Sequence, residues 1–386
     1  MSNVTRLLRI VAVVAGLTVG QPVQPKTQRA APISEARGSS ASEPELPAPT
    51  GQYGIGAKIY NWVDHSRHEL ASKDPAESRQ VIVQVWYPAG DQSGPVAPYV
   101  PMLSSYRHVW PESQVDLARR TLTHSRLNAK PKPGMRFAVV LLSHGWEGTR
   151  SEYTSVAEDL ASHGYAVFGV DHPYMGRIAL PNGEVTEPTE RQFHSPAEIV
   201  AYYACDLEFV IARIGEMNRE DPDQLFVGKF DLTRIAAIGH SSGFVAASGA
   251  CKADSRIQAC VNIDAPGFSA NDLAGLEQPL LWIRLEKAGN VPAEYLKNTR
   301  ATVYELQIQA ANHGSVEDWE YLEAASPPQR VQADKLLETI REFVEAFLSK
   351  YFYHQDSGLI DPGYSQPGIQ LKVYTPTPNQ RFRRAP

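Results

Sequence analysis

The 386-residue chain carries 37 Lys and Arg against 43 Asp and Glu, for a formal net charge of −6, and is 42% hydrophobic and 21% charged. Those proportions belong to ordinary globular proteins and exclude a long disordered or fibrous chain. With no Lys/Arg-rich run to build a basic face, neither nucleic acid nor an anionic membrane surface is expected as a partner.

In chain order, Arg6 and Arg9 precede an uncharged apolar run, Ile10 to Val19. That run is short for a bilayer span and fits the apolar core of a secretory signal. Residues 1–20 are therefore expected to be a signal peptide. The product would be secreted or periplasmic, with no stable membrane insertion after signal removal. No A-x-A cleavage pattern stands near Gly20, so an uncleaved anchor is the alternative, and no Cys follows to carry a lipid. Residues 21–52, rich in Pro, Ala and Ser and free of aromatics, read as a flexible leader. The ordered domain is expected to span 53–352. A Pro- and Gly-punctuated C-terminal arm, 353–386, would be either loose or packed by Tyr364 and Tyr374.

Within the domain, Gln80–Tyr87 reads as a strand closed by Pro88, and Phe137–Leu142 as a second. Tyr153, Val156, Ala157 and Leu160 then share a helix face before Gly164, and Ala166–Val170 is again a strand. A longer helical stripe joins Ile199, Tyr203, Leu207, Val210, Ile211 and Ile214. Strand-length apolar runs follow at Arg234–Ile238, Gln258–Ile263, Leu280–Leu285 and Thr302–Ile308, and the last stripe runs from Leu336 to Leu348. Short, continuously apolar strands alternating with helices predict an α/β fold, a mostly parallel central sheet covered by helices on both faces. Of the three cysteines, Cys251 and Cys260 bracket a helix end and a strand start, as a disulfide or as two buried thiols. Cys205 reads as a helix core residue.

Chemistry concentrates at Gly239-His240-Ser241-Ser242-Gly243, a G-x-S-x-G between a buried strand and a helix of small residues. A sharp turn there lifts Ser241 above the sheet as a nucleophile, and flanking glycines leave room for it. Serine needs a histidine to take its proton. Of the eleven histidines only His313 and His354 lie downstream, and His313, in the loop after the Thr302–Ile308 strand, is the candidate base. Asp264 and Glu286 each close a strand on the same sheet edge, and either would serve as the acid; Asp272 reads as solvated. The run VVLLSHGWEG ends a strand at Ser143-His144-Gly145, so that the backbone N–H groups of Trp146 and Ser242 form a candidate oxyanion hole. His144 would orient that loop and border the substrate. His172 ends another strand and would line the pocket. Residues 174–195 read as an entrance loop whose Met175, Ile178 and Leu180 are candidate acyl contacts. His65 and His68 read as part of a solvated polar loop rather than as metal ligands.

Val85-Trp86-Tyr87-Pro88, Leu142-Ser143-His144-Gly145 with Asp159 to Tyr165, Asp231-Leu232 to Gly243, and His313 to Trp319 together resemble the plasma-type platelet-activating-factor acetylhydrolases and their bacterial relatives, which are similar to dienelactone hydrolases. The resemblance covers roughly Tyr53 to Tyr351. It implies an α/β-hydrolase fold and a serine esterase for short or oxidised acyl esters, small or lipid, that needs no cofactor, metal or calcium. It also implies Asp264 as the acid, leaving Glu286 as the fallback. Phe244 stands where the family often has a further Gly, so it is expected to reshape the substrate side. Polyester or plant-ester depolymerase, acyltransferase and a non-catalytic binding protein on the same scaffold are the alternatives.

Overall fold

The computed structural model describes residues 43–74, 76–265, 274–285 and 290–377. At its centre lie β4 (Phe137–Ser143), β5 (Tyr165–Asp171), β6 (Phe230–His240), β7 (Ile257–Ile263), β8 (Leu280–Leu285) and β9 (Val303–Ile308). They form a parallel block in the order β5-β4-β6-β7-β8-β9. β4, β5 and β8 are buried along their whole length. Strands covered on both faces have no solvent side to alternate with, which is why their sequences are unbroken apolar runs.

Alternate residues still enter different cores, because successive side chains of a strand point to opposite faces. Val139 and Leu141 join Val210, Ile211, Ala246 and Ala247 on one side. Val140 and Leu142 join Val156, Leu160, Phe343 and Phe347 on the other. The helices supplying the first face are α3 (Pro196–Arg219) and α4 (Gly243–Ala253), and those supplying the second are α2 (Thr154–Ser162) and α7 (Pro327–Tyr353). Shorter helices α1 (Glu112–Arg120), α5 (Ala293–Asn298) and α6 (Asp318–Leu322) lie in the connections. Cys251 of α4 and Cys260 of β7 are joined by a disulfide, and Cys205 is free.

Further strands, joined to the block by antiparallel pairings, extend it at both ends to eleven among the described residues. On one side β2 (Ser78–Ala89) pairs with β5 and carries β1 (Gly54–His68), next to the three-residue β3 (Ser125–Leu127). The polar loop expected around His65 and His68 is instead the far end of β1, where Asp64 is buried and accepts from Ser66 and Arg67. Its polar composition disguised the strand. On the other side β11 (Ile369–Tyr374), with the two-residue β10 (Ser365–Gln366), pairs with β9. The C-terminal arm is thus partly sheet: the Tyr374 hydroxyl donates to Glu305 Oε2 at 2.7 Å, and Tyr364 packs on Phe343.

The leader boundary also moves. Leu46 is buried with its N–H on the Leu122 carbonyl, and Thr50 N–H and hydroxyl both donate to Asp159. Side-chain acceptors on α2 therefore order the chain before Tyr53. The expected signal and residues 21–42 of the leader lie outside the described residues. Among the described residues no helix is long and apolar enough to cross a membrane.

Candidate active site

β6 ends at His240, and α4 begins three residues later. Between them Ser241 adopts φ 50°, a left-handed conformation that costs a non-glycine residue about 1–3 kcal/mol. The turn survives because its neighbours have no side chains to clash. A Cβ on Gly239 would stand 2.4 Å from the backbone of Gly243 and Phe244. One on Gly243 would meet the Ser143 and His144 carbonyls at 2.3 and 2.4 Å. Ser241 N–H donates to the Ile263 carbonyl at 2.9 Å and holds the turn against β7.

The three candidate catalytic side chains meet. His313 Nε2 lies 2.9 Å from Ser241 Oγ, and His313 Nδ1 lies 2.7 Å from Asp264 Oδ2. Asp264 follows β7, also with positive φ, and its other oxygen accepts the Leu285 N–H at 2.8 Å. Each carboxylate oxygen therefore has its own donor. The hydrogen bond to Asp264 raises the His313 pKa above its ordinary 6.5; burial opposes this, and the charges of Asp264 and Glu317 add to it. Glu286 lies outside the described residues, and His354 is the left-handed C-cap of α7.

Trp146 and Ser242 have backbone N–H groups with no hydrogen-bond acceptor among the described residues. Their loops touch: a Cβ on Gly145 would come 3.3 Å from Ser241 Cβ. Ser242 is also the N-cap of α4, where free N–H groups and the helix dipole favour negative charge.

The expected substrate contacts are corrected. His144 has no exposed surface; its Nδ1 donates to the Gly145 carbonyl at 2.7 Å and its Nε2 accepts from His172 N–H at 3.0 Å. Burial, then the neighbouring His172, pushes its pKa down to about 3, so it is a neutral clamp on the loop that carries Trp146. His172 is equally buried, and Phe244 is 1% exposed in the core. Met175, Ile178 and Leu180 are buried too, fastening the 174–195 loop to the sheet rather than facing a pocket.

His172 belongs to a buried ionic network invisible in the sequence. Its Nε2 lies 2.8 Å from Ser143 Oγ, and its Nδ1 donates to Asp206 Oδ2 at 2.8 Å. Asp206 on α3 also receives Arg79 of β2 through Nε at 3.1 Å and Nη2 at 2.6 Å, and Arg79 reaches Glu69 at 2.7 Å. Burial alone would raise the Asp206 carboxyl, yet Arg79 and His172 hold it far below the usual range. Asp206→Ala removes one of the two carboxylates that pair with the fully buried Arg79 guanidinium and takes the acceptor from His172 Nδ1. It is expected to cost about 3–5 kcal/mol of unfolding free energy, seen as a lower midpoint in urea. An unchanged midpoint would show that the network contributes nothing to stability.

Behind the histidine loop sit two residues that the sequence presented only as a helix-face tyrosine and the variable position of G-x-S-x-G. His240 Nε2 lies 2.9 Å from the His313 carbonyl oxygen, and its Nδ1 lies 2.8 Å from Tyr153 Oη. Tyr153 Oη accepts the Gly145 N–H at 3.2 Å.

Comparison with known proteins adds context to this geometry. The chain matches the family model described as alpha/beta hydrolase fold over residues 138–374, and that described as platelet-activating factor acetylhydrolase, isoform II, over residues 39–179. It is similar to a probable 1-alkyl-2-acetylglycerophosphocholine esterase of Arthroderma benhamiae, 22% identical over 82% of this chain and 90% of that protein. It is also similar to the platelet-activating factor acetylhydrolase of Canis lupus familiaris, 23% identical over 43% of this chain and 44% of that one. Among solved structures, a ferulic acid esterase from Streptomyces cinnamoneus superposes with TM-score 0.72 and 28% identity, covering 85% of this chain and 99% of that one.

Proposed function

Because the chain belongs to the alpha/beta hydrolase fold family, we propose that it is a carboxylic ester hydrolase working through an acyl-enzyme on Ser241. The contiguous run Ser241 Oγ, His313, Asp264, at 2.9 and 2.7 Å, carries this proposal. His313 Nε2 takes the hydroxyl proton as Ser241 Oγ attacks the ester carbonyl carbon. The carbonyl oxygen becomes an oxyanion that accepts from the Trp146 and Ser242 N–H groups. Collapse of this intermediate breaks the carbon–oxygen bond to the alcohol, which leaves with the proton from His313. Water then attacks the acyl-enzyme, gives its proton to His313, and the second collapse returns that proton to Ser241 as the carboxylic acid departs. Asp264 keeps the imidazole in the tautomer that leaves Nε2 free to accept.

The names of the relatives favour short acyl esters of the platelet-activating-factor type, and the ferulic acid esterase neighbour favours plant aromatic esters as the second choice. We read residues 1–20 as an export signal, which would place the enzyme outside the cytoplasm. The deciding experiment measures hydrolysis of p-nitrophenyl esters from acetate to palmitate beside methyl ferulate, with a fluorophosphonate label mapped by mass spectrometry. Label on Ser241 and fastest turnover on acetate support the proposal. Preference for ferulate selects the second choice, and no label with no turnover overturns both.

The base must be neutral to accept a proton, so kcat/KM is expected to rise with pH through a His313 pKa above 6.5. Glu317, itself pushed up to about 7 by burial, is one of the charges that raise it. Glu317→Gln removes that contribution and should move the acid limb of the profile to lower pH. A limb that stays in place would exclude Glu317 from tuning the base.

A further inference from the structure

We infer that Tyr153 and His240 are positioning residues that tie the catalytic base and the oxyanion loop into one rigid unit. This inference rests on the serine-esterase proposal and concerns the support of its site.

Proton direction along the chain of contacts follows from chemistry. The His313 carbonyl can only accept, so His240 Nε2, 2.9 Å away, carries the hydrogen. His240 is 2% exposed, and burial, with the adjacent His313 charge, pushes its pKa down to about 3, so the ring is neutral and its Nδ1 is an acceptor. Nδ1 lies 2.8 Å from Tyr153 Oη, so the contact is made by the tyrosine hydroxyl donating to the ring. Burial keeps that phenol protonated. Its oxygen receives the Gly145 N–H at 3.2 Å. The sequence of donors is Gly145 N–H to Tyr153, Tyr153 O–H to His240, His240 N–H to the His313 carbonyl. Glu317 Oε1 lies 3.5 Å from the same Nδ1, and the charges of both Glu317 and Glu152 act on Tyr153. Burial pushes the Glu317 pKa up to about 7, and when ionised it is a second acceptor for the Tyr153 hydroxyl, so the link to His240 is strongest where Glu317 is neutral.

The chain touches each moving part of the site. His313 stands on a loop between β9 and α6 with its side chain 47% exposed, and its two ring hydrogen bonds do not restrain its backbone. The bond from His240 does, and the His240 and His313 rings pack 4.6 Å apart. At the other end, Gly145 adjoins Trp146, the candidate oxyanion donor, and His240 itself adjoins Ser241. Catalysis tolerates little misplacement: a shift near 1 Å in a reacting group costs about 100-fold in rate.

Full-length His240→Leu, His240→Gln, Tyr153→Phe and the double variant Tyr153→Phe/His240→Leu are compared on p-nitrophenyl acetate. Rates are expressed per site titrated to completion with fluorophosphonate, so that unfolded protein is not counted. His240→Leu is expected to lose about 10- to 100-fold in kcat with KM nearly unchanged. His240→Gln, whose amide can still donate to the His313 carbonyl, should recover most of it. Tyr153→Phe should fall in between, and the double variant should be no slower than His240→Leu, since both changes cut one chain. If His240→Leu does not fold, Tyr153→Phe and His240→Gln carry the comparison alone. Equal loss in Gln and Leu, additive losses, or an unchanged kcat per titrated site would overturn the inference. Wild type that labels at Ser241 and turns over ester isolates that failure from failure of the esterase proposal; wild type that does neither overturns both.

Discussion

Ser241→Ala is expected to lower kcat/KM for p-nitrophenyl acetate by about 10⁴- to 10⁶-fold while the protein remains folded. Alanine lacks the atom that bonds the acyl group, so no acyl-enzyme can form. What remains is whatever the oxyanion donors and His313 achieve with water, a residue of about 10³-fold over the uncatalysed rate in comparable triads. Stability should change by no more than about 1 kcal/mol, because the strained φ of 50° suits alanine no worse than serine and only the bond to His313 is lost. Steady-state rates beside a urea unfolding curve make the measurement. Activity within tenfold of wild type would remove Ser241 as nucleophile and, with it, the acyl-enzyme.

Asp264→Asn should be nearly as severe, about 10⁴-fold in kcat, for a reason that the second oxygen of this residue makes specific. Asp264 Oδ1 accepts the Leu285 N–H, and Oδ2 faces His313 Nδ1. An asparagine must keep its oxygen toward Leu285, because turning its NH₂ there would set donor against donor. The NH₂ then points at His313 and donates to Nδ1, which forces the ring hydrogen onto Nε2. That nitrogen can no longer take the serine proton. Asp264→Ala leaves both tautomers open and should be the faster of the two variants at neutral pH. The ratio of their rates is the test; an asparagine variant faster than alanine would mean that the amide turns, or that the acid acts only through its charge.

Much of the scaffold was legible before any coordinates. All seven strands read from apolar runs are present, because strands buried on both faces must be apolar along their length, and that composition survives in one dimension. β1 and β11 are not legible in the same way, since strands next to the sheet edges alternate with solvent and mix in exposed polar residues such as Asn61 and Lys372. The ordered chain also begins earlier than its composition implies, for a related reason. Residues 43–52 are ordered by acceptors on Asp159 and Ser162, more than 100 positions away, and by the apolar side chain of Leu46, which packs on Tyr99 and Tyr106.

The site divides along the same line. Ser241 was readable because G-x-S-x-G is a local steric requirement of the turn. His313 was readable because chain order left one downstream histidine at a strand end. Glu286 competed equally with Asp264 on position alone, and family resemblance, not spacing, separated them; the hydrogen bonds from His313 and Leu285 to Asp264 are tertiary facts. His144, His172 and Phe244 failed as substrate contacts because polarity and position in a motif say nothing about which way a side chain is packed. The links from Arg79 to Asp206 and from Tyr153 to His240 join residues 127 and 87 positions apart. Periodicity and turn chemistry act over a few residues and so show in the order of amino acids. Burial, tautomer and the pairing of buried charges arise only when distant segments close on one another, and that closure decided them here.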